Sequence, residues 1–283
     1  MGWLIHVSAW ERVSPGRRVL GAFVRVAIWL ALLIVLVELF GPPIAIFTTA
    51  RWEARRFPGV KVSPQPLADY SVSDAPGTVM SYFGYSFEVP WTATFKEKVF
   101  GKDGLAQLQF ESGQGVTFIV PANQNGLFAE VVTDKSMHMK SLEIVLGDLM
   151  NRSAYDQYAA LLKTTPLTIR SFGPRAEAVR GITLLTMKAI ATGPGLETGV
   201  FSFELSGKRG FQVGDPRKSR RADLEVFGMG GHHVEIICVT SGDSVKLSQP
   251  ELNRILTSLH AMPIESSGST HAQVTARGTK RSD

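Results

Sequence analysis

His232-His233 stands directly after Gly228-Met229-Gly230-Gly231, with Glu235 two residues beyond the second imidazole. Imidazole and carboxylate are metal-ligand types, but neighbouring residues on a strand point to opposite faces. The two histidines therefore close on one ion only if the turn twists them, and a full site needs a distant ligand such as His138. The expectation is a solvated hairpin end, with no metal residue assigned. Positive charge makes the second pattern. Arg217-Lys218-Ser219-Arg220-Arg221, with Lys208 and Arg209 upstream, is the densest basic cluster between residues 81 and 263. Clustered like charges raise the local potential, so Lys208, Arg209, Arg217, Lys218, Arg220 and Arg221 are the candidates for an acidic partner or lipid head groups. The plain alternative is a solvated loop between strands.

Other templates are missing. The chain has no G-x-x-x-x-G-K-[ST] phosphate loop, G-x-S-x-G elbow, H-E-x-x-H helix or C-x-x-C pair, so no catalytic residue and no cofactor is expected. Gly84-Tyr85-Ser86 and Gly193-Pro194-Gly195 read as strand or turn chemistry, since neither opens a helix. The single Cys238 is flanked by Val234, Ile236, Ile237 and Val239, the setting of a small core side chain with an inert thiol, and one cysteine forms no internal disulfide. Asn151-Arg152-Ser153 is a glycan acceptor only in a eukaryotic secretory setting.

The 283-residue chain is 44% hydrophobic and 19% charged, which excludes a disordered chain, a fibre and a disulfide scaffold. Its formal charge of +5 sits outside the folded body. Seven arginines face three glutamates before Phe57, one further positive excess lies beyond Ile264, and residues 57–263 balance. A nucleic-acid-binding body would carry that excess itself, so no nucleic-acid partner is expected.

The basic excess flanks residues 19–40, VLGAFVRVAIWLALLIVLVELF, a length suited to crossing a hydrocarbon core of roughly 30 Å. Arg25 and Glu38 lie toward its ends, where long side chains bend to head groups, and Trp10 and Trp52 lie at interfacial depth. Gly41-Pro42-Pro43 is expected to stop the helix. The rival reading is a cleaved signal peptide, with residues 26–37 as its apolar core; the polar stretch ahead of it favours an uncleaved anchor. Arg12, Arg17 and Arg18 before the span nearly offset Arg51, Arg55, Arg56 and Lys61 after it, so charge counting leaves the orientation open. A single amino-terminal anchor, as a class, exports the chain on its carboxyl side, which puts the body outside the cytoplasm.

The expected organisation is a short tail over residues 1–18, the anchor and its stop over 19–47, a proline-containing linker over 48–80, an α+β body over 81–263 and a disordered tail over 264–283. Tyr82, Phe83, Tyr85, Phe87 and Val89 read as a first aromatic strand, with further strands at 105–110 and 116–120. Met139 to Leu149 has helical spacing, Ser153 is set to cap the next helix, and Ala176 to Leu185 suggests a third. Strands return at 200–205, 222–227 and 234–239, and Ser248 with Glu251 forms a capping box for a last helix. Strands, helices, strands, helix in one body predict helices packed on an antiparallel sheet.

The opening Phe83-Gly84-Tyr85-Ser86-Phe87-Glu88-Val89-Pro90, the paired strands and the closing helix after a long hairpin resemble the PsbP-like fold, whose founder is an extrinsic lumenal subunit of photosystem II. The resemblance implies a domain that supports the assembly of larger complexes and carries no functional residue over by position. The combined expectation is a single-pass membrane-anchored, non-catalytic binding or assembly-accessory domain, with lipid as partner of the anchor and a protein partner beyond the bilayer. The alternative is a membrane-tethered hydrolase with an unfamiliar active site.

Overall fold

A computed structural model of the chain describes residues 15–91, 95–121, 128, 139–171, 173–192, 195–229, 232–242 and 244–262, with side chains from Leu30 onward except at 103, 139–142, 229 and 232. Trp10, Arg12, His138 and the tail after Met262 lie outside them.

Helix α1, Pro15–Arg56, contains Leu30–Arg56, a stretch long and apolar enough to span a membrane. The expected stop at Gly41-Pro42-Pro43 does not occur: both prolines lie inside α1. Prolines 42 and 43 remove the amides that would bond to the carbonyls of residues 38 and 39, a local loss that apolar helices tolerate where the rest of the ladder continues. The helix then docks on the body. Ala50 (2% exposed) and Ala54 (5%) pack with Val60 on Leu185 of α4, Arg175–Ala191. Residues 48–67 are consequently no extended spacer, and irregular, mostly exposed chain is confined to 68–77. The former comprise the end of α1, a 3-10 turn at Pro58–Lys61, strand β1 (Gln65–Pro66) and the core residue Leu67.

The large sheet has the order β1-β7-β8-β9-β10-β6-β5-β4, with β4 Phe95–Phe100, β5 Leu105–Phe110, β6 Gln114–Ile119, β7 Val200–Leu205, β8 Lys208–Val213, β9 Arg221–Met229 and β10 His232–Thr240. Every pairing is antiparallel except β1 with β7. A three-stranded sheet, β11-β3-β2, comprises β2 Thr78–Tyr82, β3 Tyr85–Val89 and β11 His260–Ala261. The expected first strand is thus a hairpin. Phe83 and Gly84 both take positive φ (51° and 82°), the two-residue geometry whose twist suits adjoining antiparallel strands.

Between the sheets lies the main core. Alternate residues of the large sheet, among them Leu108, Phe118, Leu224, Val226, Ile236 and Cys238, meet Met80, Phe87 and the apolar side of α5, Gln249–Ser258. The capping box of α5 forms as expected: the Ser248 amide and hydroxyl both donate to Glu251 at 2.8 Å. On the other side of the large sheet lie α2 (Met139–Leu146), α3 (Ala154–Lys163) and α4. Ser153 caps α3, accepting from the Asp156 amide at 3.2 Å. The architecture is α+β, with helices packed on antiparallel sheet.

A buried lysine joins the docked end of α1 to this layer. Lys188 of α4 donates to the carbonyls of Val62 (2.6 Å), Leu162 (2.7 Å), Thr164 (3.0 Å) and Val60 (3.3 Å). Two of these carbonyls belong to the end of α3, where helix geometry leaves oxygens without amides. Burial pushes the Lys188 amine down to about 8.

Candidate functional site

Strand alternation puts Arg221, Asp223, Glu225 and Phe227 on the β9 face turned away from the main core, and His233 and Glu235 beside them on β10. Helix α3 covers the row. Tyr155 and Tyr158, one turn apart, pack on Phe211 of β8 and on Phe227, the ring centroids lying 5.2–5.9 Å apart. That apolar lid buries the charged groups beside it.

Glu225 joins three elements. Its Oε1 accepts from the Tyr158 hydroxyl at 2.9 Å, and its Oε2 meets His233 Nε2 at 2.5 Å. A carboxylate only accepts, so His233 carries its proton on Nε2. The His233 ring stacks on Phe227 at 4.5 Å, which fixes its plane, and Glu235 lies directly opposite Glu225 in the strand register. At the other end of the row, Arg221 forks onto Asp223 through Nε (2.7 Å) and a terminal nitrogen (2.8 Å). Burial holds the Asp223 carboxyl up at about 6, outweighing the lowering by that guanidinium, and the neighbouring Glu225 charge adds to the rise. Burial, followed by the charges of Glu225 and Glu235, lifts the Tyr158 phenol far above its ordinary range. Asp223 can therefore hold a proton closer to neutral pH than an ordinary carboxyl. Yet the side chains of Glu225 and His233 are only 7% and 12% exposed, under α3.

The six basic candidates separate. Lys208 is buried on the main-core face, its amine donating to Leu259 O (2.6 Å) and Thr257 O (3.2 Å) at the end of α5, so its charge serves that helix terminus and not the loop. Arg221 belongs to the buried row. Arg209 leaves the loop as well, lying over the Tyr155 ring at 4.0 Å from its centroid. Arg217, Lys218 and Arg220 remain in the β8–β9 connection, where Asp215 lies 3.6 Å from the Lys218 amine and accepts the Arg217 amide at 3.0 Å. Arg217 also lines a cavity of about 390 Å³ beside the start of α5, with Lys246, Asp69 and Ser248.

Among the described residues no group of histidine, cysteine and carboxylate side chains is arranged to hold a metal ion. Cys238 is buried in the main core, and burial drives its thiol far up, as expected of an inert cysteine. The buried row had a sequence signal of its own. Arg221, Asp223 and Glu225 alternate with Ala222, Leu224 and Val226, a pattern that also describes an ordinary solvent face; the covering tyrosines sit more than sixty residues away in sequence. Comparison with protein families, curated proteins and solved structures returns no match to this chain.

Proposed function

We propose that the chain is a single-pass membrane-anchored module whose α+β body works by binding, holding a protein partner beside the bilayer. One observation carries the reading. The apolar helix continues unbroken into a packed seam on the body, so its orientation reaches the sheet through Ala50, Ala54 and Leu185. A tether serving only to retain an enzyme near a membrane needs no such seam, whereas a module that presents a surface at a set height does. The exposed Arg217 and Lys218 are the basic edge offered to an acidic partner. The element order resembling PsbP-like domains supports the same assembly-accessory role, and the single anchor supports a body outside the cytoplasm.

Alkaline carbonate extraction followed by protease treatment of intact spheroplasts tests the reading. A chain that stays in the membrane pellet, with its body digested from outside, is the expected result. Release by carbonate removes the anchor; protection in intact spheroplasts removes the exported orientation. The hydrolase reading draws on the raised Asp223 carboxyl beside Glu225 and His233. Its discriminating result is hydrolytic turnover by the purified chain that Glu225→Gln abolishes while the thermal transition persists.

A further inference from the structure

Below the body, α1 carries a basic feature distinct from the β8–β9 loop. At 1.5 Å per residue, residues 30–47 extend about 27 Å, close to the roughly 30 Å hydrocarbon thickness of a bilayer. The large apolar residues of this stretch, from Leu30 to Phe47, are exposed apart from the half-buried Ile46. Immediately beyond, the helix divides into two faces. Ala50, Glu53 and Ala54 are buried on the seam with α4, while Thr48, Arg51, Trp52 and Arg55, spaced i, i+3, i+4 and i+7, are exposed. These four and Phe47 line an open cleft of about 530 Å³.

Two of the three arginines lie over aromatic rings. The Arg51 guanidinium lies 4.4 Å from the Phe47 ring centroid, and that of Arg56 lies 5.1 Å from both Trp52 and Phe57. A guanidinium lying over a ring keeps its N–H edge available, and that planar edge matches a phosphate through two parallel hydrogen bonds. Among the described residues no carboxylate pairs with Arg51, Arg55 or Arg56. Glu53, the only acid between positions 39 and 68, is buried. Trp52, with its apolar ring and polar N–H, suits the same interfacial depth.

We propose that this collar of Arg51, Arg55 and Arg56 around Phe47 and Trp52 is a binding site for the phosphate head groups of anionic phospholipids, locking the depth and rotation of α1 at one membrane surface. The proposal rests on the membrane-anchor reading. Its positive face, one helical turn long, sits where the apolar run ends, and the body blocks the opposite face, so head groups approach from the cleft side alone.

The test uses the full chain in phosphatidylcholine vesicles containing trace spin-labelled phosphatidylglycerol or spin-labelled phosphatidylcholine, reading the motionally restricted lipid fraction by electron paramagnetic resonance. Phosphatidylglycerol is expected to associate about fivefold more strongly, the effect of one effective surface charge. Arg51→Gln, Arg55→Gln and Arg56→Gln together bring the two lipids to parity, whereas Arg51→Lys, Arg55→Lys and Arg56→Lys together keep a preference. All the substituted side chains are exposed, so folding is unaffected. Equal association of both lipids with the wild-type chain in a carbonate-resistant state overturns the collar and leaves the anchor standing. Absence of restricted lipid together with carbonate release overturns the anchor, and the collar with it.

Discussion

The two faces of the large sheet are built on opposite principles. Toward α5 and the small sheet, Leu108, Phe118, Leu224, Val226 and Ile236 form a continuous apolar layer. Toward α3, the same strands present Arg221, Asp223, Glu225, His233 and Glu235, and apolar cover comes from the Tyr155, Tyr158, Phe211 and Phe227 rings beside them. Burial of the first face is favourable for each side chain separately. Burial of the second is favourable only for the set, because each charge removed from water needs a partner in place. One face therefore tolerates conservative change and the other depends on its pairings.

That contrast is broken most directly from the apolar side. Phe118→Ala leaves a cavity between Phe87 and Tyr85, whose rings lie 5.0 and 6.0 Å from it, and is expected to cost about 3–5 kcal/mol in urea unfolding of the detergent-solubilised chain. Lys188→Met acts behind the second face. It strands four carbonyls where α3, α4 and the segment after α1 converge, with an expected loss of about 2–4 kcal/mol in the same assay.

The charged row has a pH signature that the apolar layer lacks. Asp223 has a folded carboxyl held up at about 6 against an ordinary 3.8, so the folded chain binds the extra proton between those values. Stability is then highest below about pH 4 as far as this group contributes, and falls as pH rises through 6, by about 3 kcal/mol in total. Urea midpoints measured from pH 4 to 7 should carry this slope, and Asp223→Asn should flatten it. Tyr158→Phe removes one donor to Glu225 with little change of shape and is expected to cost about 1–2 kcal/mol by thermal unfolding. Arg217→Gln with Lys218→Gln, both exposed, should stay within about 0.5 kcal/mol of the parent while weakening any salt-sensitive association with an acidic partner. A large stability loss from that pair assigns the loop to the fold and removes it as a binding edge.

Local chemistry was readable wherever neighbours in sequence are neighbours in space. Ser153 caps α3 because its side-chain oxygen reaches the amide three residues ahead, Ser248 opens α5 because the Glu251 carboxylate reaches back to its amide and hydroxyl, and the Gly-rich stretch after Phe227 joins β9 to β10. The strands at β4 and β8 escaped a reading by pattern. Phe95-Lys96-Glu97-Lys98-Val99-Phe100 forms an edge strand exposed from Lys96 onward on both of its faces, and β8 carries a buried lysine at its first position. Lys208 looked like surface charge because nothing near it in sequence announces the end of α5, some fifty residues away.

The buried row was half visible. The strand over 222–227 was expected, but its alternation of charged and apolar residues does not tell whether water or protein covers the polar face, since both give the same period of two. The prolines misled in a different way. Pro42 and Pro43 weaken a helix locally, but α1 extends on both sides of them and its far end is held by packing on α4.

Composition and periodicity were enough to define an apolar helix of membrane length, a charge-balanced α+β body and its helix caps, because each depends on contacts within a few residues or on summed hydrophobicity. Which polar face is buried, which lysine carries surface charge, and whether α1 hangs free or docks were decided by contacts between segments far apart in the chain. Those contacts set the local water content, and it is the removal of water that turns Asp223, Lys188 and Lys208 from ordinary charges into constrained ones.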